Sequence, residues 1–377
     1  MTDPIIQERG LFGRLYHGET AFDFVGQRLR FWVLSCVVIG VGMAAFGFNG
    51  LNLGIDFKGG TSWEVPAAEL SVADTRTALQ PFGLADAKVQ QLGRGADQAV
   101  RVQASTVSEE VRNDVREALA EVGGVDAGLV SVNEVGPTWG SDISSKALRA
   151  LVSFLIAIAI YISLRFEWKM AIATLAALVH DLLVTVGVYA IVGFEVTPAT
   201  VIATLTILGY SIYDGIVVFD RIEENTRGMA ASGRMTYADM VTLSLNQMLM
   251  RSINTSLTSL LPVFSLLVIG AGFLGAVTLQ DFALALFIGL TASTYSSIFV
   301  AAPILAVLKE REPRYAAIKT RLSTRSGTVL TPAAAAASAG GGADSVEADA
   351  GGSKRPNVIS SPRTGQAPRP RKKGKRR

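Results

Sequence analysis

The chain has 377 residues, 49% of them hydrophobic and 18% charged, with a mean hydropathy of +0.36. Soluble globular proteins carry about 25% charged residues, so this composition argues against an ordinary soluble enzyme. The formal charge of +3 is uneven: residues 354–377 hold ten Lys/Arg and no acid, whereas residues 50–145 hold seven Lys/Arg against fourteen Asp/Glu.

A single cysteine, Cys36, excludes an intrachain disulfide and a cysteine-based zinc site. The two histidines, His17 and His180, stand too far apart for an H-E-x-x-H metal motif. No metal site and no cofactor is expected.

Residues 1–30 read as a cytoplasmic N-terminal segment, followed by an apolar run over 31–49. That run is long enough to cross a bilayer. It is longer than a signal-peptide core, follows thirty mostly polar residues and precedes no A-x-A site, so it reads as a retained anchor. Gly54-Ile-Asp56-Phe57-Lys-Gly59-Gly60-Thr61 then forms a polar turn in which Gly59 and Gly60 permit positive φ. It lacks the spacing of a phosphate loop.

Residues 50–145 read as an extracytoplasmic α+β domain. Thr61–Val65, Val89–Leu92, Val100–Ala104 and Val130–Val132 are strand candidates. Ser71-x-x-Asp74 and Thr106-x-x-Glu109 are capping-box signatures that open two helices. The order β-α-β-β-α-β is the ferredoxin-like plan. Residues 146–308 read as a five-helix transmembrane bundle with spans near 147–164, 170–193, 198–219, 252–273 and 282–308. With the first run this makes a polytopic α-helical membrane protein of six transmembrane helices.

Basic residues cluster in one set of loops: Arg28, Arg30, Arg165, Lys169, Arg221, Arg227, Arg234, Arg251, Lys309, Arg311 and Arg314. The positive-inside rule therefore places both termini in the cytoplasm. Lys146 and Arg149 fall on the other side and fit a short amphipathic interfacial helix. Residues 309–377 form a cytoplasmic tail read as disordered and basic. The tail suits anionic lipid headgroups, RNA phosphates or simple solvation; no nucleic-acid partner is expected.

Ionisable groups inside a span cost about 2.5–3.5 kcal/mol on insertion scales, so they are functional candidates by default. Asp214 sits in the fourth span, seven residues before Arg221 and so about 10 Å inside the boundary. It is either a static partner of Arg251 or a carboxylate that exchanges protons. Asp181 reads more readily as a packing group bonded to a Ser or Thr of a neighbouring helix. His180 points about 100° away from it and need not share its site. Ser252, Thr255, Ser256 and Ser259 make a polar stripe, either interhelical glue or the wall of a wet pathway. Pro262 permits a kink, and Gly270, Gly272 and Gly275 permit close packing.

The pattern resembles the SecD/SecF family, and within it the SecF subunits of the bacterial Sec protein translocase. Four ordered motifs carry the resemblance. They are Gly54-Ile-Asp56-Phe57-Lys-Gly59-Gly60-Thr61, Val179-His180-Asp181, Asp214-Gly-Ile-Val-Val-Phe-Asp220-Arg221-Ile222 and Arg251-Ser252-Ile-Asn254-Thr255-Ser256. Tyr213, Gly215 and Glu223 depart from the usual Asn, Thr and Arg. The resemblance implies an RND-like fold and a SecD partner beside the SecYEG channel. SecA, a YidC-type insertase, the translocating preprotein and membrane lipid are further implied neighbours. It also implies a proton-motive-force-driven, non-enzymatic role in completing export, with Asp214 and Arg251 as the functional charges; Asp181, by its place inside a span, is a further proton-coupling candidate. An RND-type exporter of a small molecule or lipid, or a passive scaffold, is the alternative expectation.

Overall fold

The computed structural model describes residues 20–324 apart from 21, 68, 93–97, 230–234 and 272–276. The expected tail beyond 324, residues 1–19, Arg234, Gly272 and Gly275 lie outside the described residues.

Six helices are long and apolar enough to cross a membrane. They are built on α1 (Arg28–Asn49), α5 (Pro137–Arg165), α6 (Trp168–Val192), α7 (Pro198–Met229), α8 (Tyr237–Ser265) and the pair α9 (Val277–Ser296) and α10 (Ala302–Glu310). A last helix, α11, covers Pro313–Thr324, so the first part of the tail expected to be disordered from residue 309 is instead helical, with Tyr315 buried. Val33, Val37 and Val41 on α1, and Leu148, Val152 and Ile156 on α5, are exposed, which is what lipid or a partner helix requires of a span. Ile162, Leu178, Leu208, Phe219, Ile222, Met240 and Leu305 form the buried centre.

Several helices outrun their apolar stretches. The helix expected near 147 starts at Pro137, behind Gly136 and with the proline in its first turn. Lys146 and Arg149 therefore belong to that same helix and not to a separate interfacial one. The helix expected near 252 starts at Tyr237, where Thr236 and Asp239 form a reciprocal capping box. Hydropathy registers only the part that crosses lipid, whereas caps and packing decide where a helix begins. Pro262 stays inside α8, which passes into a π turn over Leu266–Ala271. A second π turn, Ser297–Ala301, precedes Pro303, a residue with no N–H to donate.

Between α1 and α5 the order is β1 (Asn52–Leu53), α2 (Ile55–Lys58), β2 (Gly60–Val65), α3 (Val72–Leu79), β3 (Lys88–Leu92), β4 (Ala99–Ala104), α4 (Glu109–Gly123) and β5 (Ser131–Val135). β2 to β5 form one sheet in the order β3-β4-β2-β5 with every neighbour antiparallel. One face carries Trp63, Val65, Val100 and Val102 against Leu79 of α3 and Val115 and Leu119 of α4. Trp63 Nε1 donates to the carbonyl of Arg112 at 3.1 Å, which satisfies the one polar atom of a fully buried ring. Ser71 caps α3 as expected from its motif. Ser108, not Thr106, caps α4, because its extended backbone immediately precedes the first helical turn and its Oγ accepts from Val111 N.

β1 pairs in parallel with β6 (Glu195–Val196), which lies in the short connection between α6 and α7. This contact ties the inserted sheet region to the helical bundle.

Candidate functional site

Asp214 lies on α7 with 8% of its surface exposed, and its Oδ2 has no hydrogen-bond partner. Together with Tyr213, Val217, Met248, Arg251, Ser252 and Thr255 it lines a small cleft between α7 and α8. Ser252 is buried there too, and its Oγ is likewise unpartnered. A buried polar atom without a partner costs about 1–3 kcal/mol, so two of them in one cleft are a marked exception to normal packing.

Arg251 is exposed and lines the same cleft, but among the described residues it makes no ion pair with Asp214. The static-partner expectation thus finds no salt bridge in this arrangement. Asn254 is exposed one turn along α8, and Thr255 returns its Oγ1 to the Arg251 carbonyl at 2.8 Å.

The polar stripe divides. Ser256 accepts from Thr294 of α9 at 3.0 Å, and Ser259 bonds the Tyr210 hydroxyl of α7. These are interhelical glue, while Ser252 and Thr255 face the cleft. Toward the end of α7, Arg221 donates to Gln247 Oε1 at 3.1 and 2.9 Å and to Glu224 at 2.6 Å. Asp220 is exposed beside it.

Asp181 is fully buried on α6. It accepts from Ser211 of α7 at 2.7 Å, the hydroxyl partner that packing leads one to expect. The expectation that His180 stands apart is overturned. His180 Nδ1 lies 3.2 Å from Asp181 Oδ1, and its Nε2 lies 3.2 Å from Ser35 Oγ on α1. Adjacent helical residues start 100° apart, but an imidazole is long enough to fold back along the helix.

The Gly54–Thr61 segment is a four-residue helical turn, α2, flanked by Gly59 (φ 76°) and Gly60 (φ 144°). Phe57 is buried, and its carbonyl accepts from Ser144 of α5 at 3.3 Å. Gly54 N donates to Val196 O at 2.9 Å. A side chain at Gly140 would place its Cβ 2.8 Å from Gly59 N, so backbone meets backbone here. Asp56 is half-buried; burial first, and then the Glu195 carboxylate, push its carboxyl above the usual range.

Glu195 is a residue the sequence did not single out. Lys88 Nζ of β3 donates to it at 2.8 Å and Gln103 Nε2 of β4 at 2.7 Å, so one carboxylate clamps the sheet to the α6–α7 connection. Its only local signal is being the lone charge in Gly193–Thr197. Among the described residues no cluster of three or more His, Cys, Asp or Glu could hold a metal ion.

The arrangement has known counterparts. The family described as protein export membrane protein SecD/SecF, C-terminal, matches residues 114–311, and the SecD/SecF GG motif matches residues 44–67. Protein translocase subunit SecF of Streptomyces coelicolor is 44% identical over 313 residues, 83% of this chain and 83% of that protein. The SecF subunit of Thermodesulfovibrio yellowstonii is 36% identical over 296 residues, 77% of this chain and 96% of that one. The crystal structure of SecDF from Thermus thermophilus, a translocon-associated membrane protein, superimposes with a TM-score of 0.70 at 34% identity. The match covers 78% of this chain and 39% of the SecDF chain, so only about two fifths of that longer protein corresponds.

Proposed function

The chain belongs to the SecD/SecF family of protein export membrane proteins, among the SecF subunits of the protein translocase, and from that membership we propose that it couples proton binding at Asp214 to protein export. The observation that carries this is the buried Asp214 Oδ2, unpartnered in a cleft shared with Ser252 and Arg251. A carboxylate already saturated by hydrogen bonds gains little from a proton, whereas an orphaned one changes both its charge and its donor count on binding one. A proton crossing 100 mV delivers about 2.3 kcal/mol, a factor of about 50 in an equilibrium or rate.

The partner in this reading is a SecD subunit, supported by the Thermus relative that is named SecDF as a single chain. The exposed Arg251, Asn254 and Tyr213 would meet it, since charged and polar groups at membrane depth need protein or water beside them. The sheet region would be an extracytoplasmic ferredoxin-like domain; its strand order and two covering helices support that assignment. The Lys/Arg distribution supports cytoplasmic termini in the bacterial plasma membrane. The role is non-enzymatic, beside SecYEG, after SecA has moved the preprotein, with a YidC-type insertase as a further neighbour.

The test is reconstitution of the full chain with its SecD partner and the translocase in vesicles. Completion of export is compared with and without an imposed proton-motive force. Asp214→Asn, assembled at the normal level, is expected to lose the proton-driven acceleration and keep the unenergised rate. An unchanged acceleration would remove Asp214 from the coupling role.

A further inference from the structure

The sheet region and the helical bundle meet at the connection between α6 and α7, residues 193–197. The Glu195 side chain there is 8% exposed and gives one oxygen to each of two strands. Its Oε2 accepts from Lys88 Nζ at 2.8 Å, and its Oε1 accepts from Gln103 Nε2 at 2.7 Å. Lys88 and Gln103 stand directly opposite each other across β3 and β4, so one carboxylate spans the strand pair. Lys88 Nζ also donates to Asn52 Oδ1 at 3.3 Å, and Asn52 Nδ2 donates to the Gly193 carbonyl at 2.9 Å. A Cβ at Gly54 would stand 2.7 Å from Glu195 Oε1 and 3.3 Å from the Val196 carbonyl oxygen. This glycine leaves the carboxylate its place.

On its other side Glu195 is fixed to α7. Thr197 N donates to Thr200 Oγ1 at 3.2 Å and Thr200 N donates to Thr197 Oγ1 at 3.4 Å, a reciprocal cap that locks the first turn to the connection. From Pro198 the helix runs unbroken to Met229 and carries Asp214 about 24 Å along its axis. The apolar clusters beneath the sheet and within the bundle share no residue among those described. Between the two parts lies a polar cavity of about 430 Å³, lined by Asp56, Glu64, Arg101, Gln103, Glu195 and Asp281. Small polar interfaces leave relative movement as the default. The sheet region has a second attachment, where Phe57 and Gly59 at α2 meet Ser144 and Gly140 of α5. That one is close-packed, backbone against backbone, and serves as a pivot; the Glu195 bridge lies on the side of α7.

We propose that Glu195 is a positioning residue that carries displacement of α7 to the sheet region, gripping β3 and β4 through Lys88 and Gln103. This rests on the reading of Asp214 as the coupling carboxylate and assigns the route by which a change at that carboxylate leaves the bundle. A proton on Asp214 alters how α7 sits against α8 in their shared cleft, and the far end of α7 is the clamp. Anchorage alone would be served as well by apolar contacts, which bury no charge. An ammonium and a carboxamide on one carboxylate make a directional grip. It holds two opposed strand residues in register with α7 and draws them along when α7 shifts.

The test uses the full chain with its SecD partner and the translocase in vesicles, with Cys36→Ser removing the single native cysteine. Fluorophores on Asn113→Cys of α4 and Ile191→Cys of α6, both exposed positions, report the separation of sheet region and bundle by energy transfer. Imposing a proton-motive force is expected to shift that transfer, and Glu195→Ala, assembled at the normal level, to abolish the shift. The ratio of energised to unenergised export should fall about tenfold in Glu195→Ala, the factor carried by one charge-assisted hydrogen bond. Lys88→Met should lower both readouts too, and it carries the test if Glu195→Ala fails to assemble. A Glu195→Ala chain that is merely less stable, and keeps both the shift and the ratio, would overturn the proposal. So would an energised parent that shows no shift. If the clamp variants keep the ratio while Asp214→Asn loses it, the clamp fails and the reading of Asp214 survives. If Asp214→Asn keeps its drive, both fall.

Discussion

Asp181 and Asp214 are both buried and lie on adjacent helices, yet their surroundings differ in kind. Asp181 is saturated: both oxygens have side-chain partners, and its own carbonyl accepts from Thr185 at 2.8 Å. Asp214 keeps one orphaned oxygen, and the cleft it lines also holds the orphaned Ser252 hydroxyl. The first environment fixes a carboxylate in place and ties helices together through it. The second leaves a carboxylate whose best partner is a proton or another molecule. Burial alone, which makes both residues candidates in the sequence, does not separate these roles; the hydrogen-bond inventory does.

The largest disturbance of this contrast should come from the α1–α6 crossing. A Cβ at Gly42 would sit 2.6 Å from the Gly187 Cα, so the two backbones touch. Small residues at helix crossings permit this approach in membranes. Gly42→Leu must push α1 outward, breaking the Ser35–His180 contact while the Asp214 cleft between α7 and α8 keeps its lining. Overpacking of this kind costs up to about 3 kcal/mol. Denaturation of the purified protein by SDS titration measures it, and an unshifted midpoint would show that α1 is not held by this contact.

Next in size is the difference between the two aspartates themselves. Asp181→Ala strands Ser211 and His180 and should cost about 1–3 kcal/mol. Asp214→Asn replaces an orphaned oxygen with an amide of the same shape and should change stability by less than about 1 kcal/mol. The same SDS titration compares them; equal losses would mean that Asp214 is a structural residue like Asp181.

How much of this was legible in the sequence follows from range. Asp214 and Arg251 stand out because a charge inside an apolar run is a local anomaly, and the fold does bring them to one cleft. The strand and helix order between α1 and α5 follows from alternation and capping residues, which are also local. The Glu195 clamp on Lys88 and Gln103 joins residues about a hundred positions apart, and no periodicity encodes it. The two-residue pairing of β1 with β6 is too short to alternate. His180 was misjudged because helical angle was used where side-chain reach decides. The early starts of α5 and α8 were missed because their first turns are polar on one side.

The smallest effects lie outside the spans, where the same contrast between a satisfied and a crowded carboxylate sets the response to pH. Burial alone would raise the Glu312 pKa. The hydrogen bond from Lys169 at 2.8 Å and the charges of Lys309 and Lys169 outweigh it and hold the group below its ordinary 4.5. Its contribution is therefore fully present above pH 4.5 and is lost as pH falls through the lowered value. Glu312→Gln should thus be less stable than the parent at pH 7, by under about 1 kcal/mol for a partly exposed pair. The gap should close in acid. Asp56 has the opposite sign: burial and Glu195 raise it, so its protonated form contributes stability below its ordinary 3.8 that is lost as pH rises through the raised value. Asp56→Asn should equal the parent in acid and exceed it at neutral pH. Variant-minus-parent unfolding midpoints at a series of pH values test both at once, because the other carboxylates cancel in each difference. Two gaps of the same sign at pH 7 would show that these carboxylates are not distinguished by their neighbours.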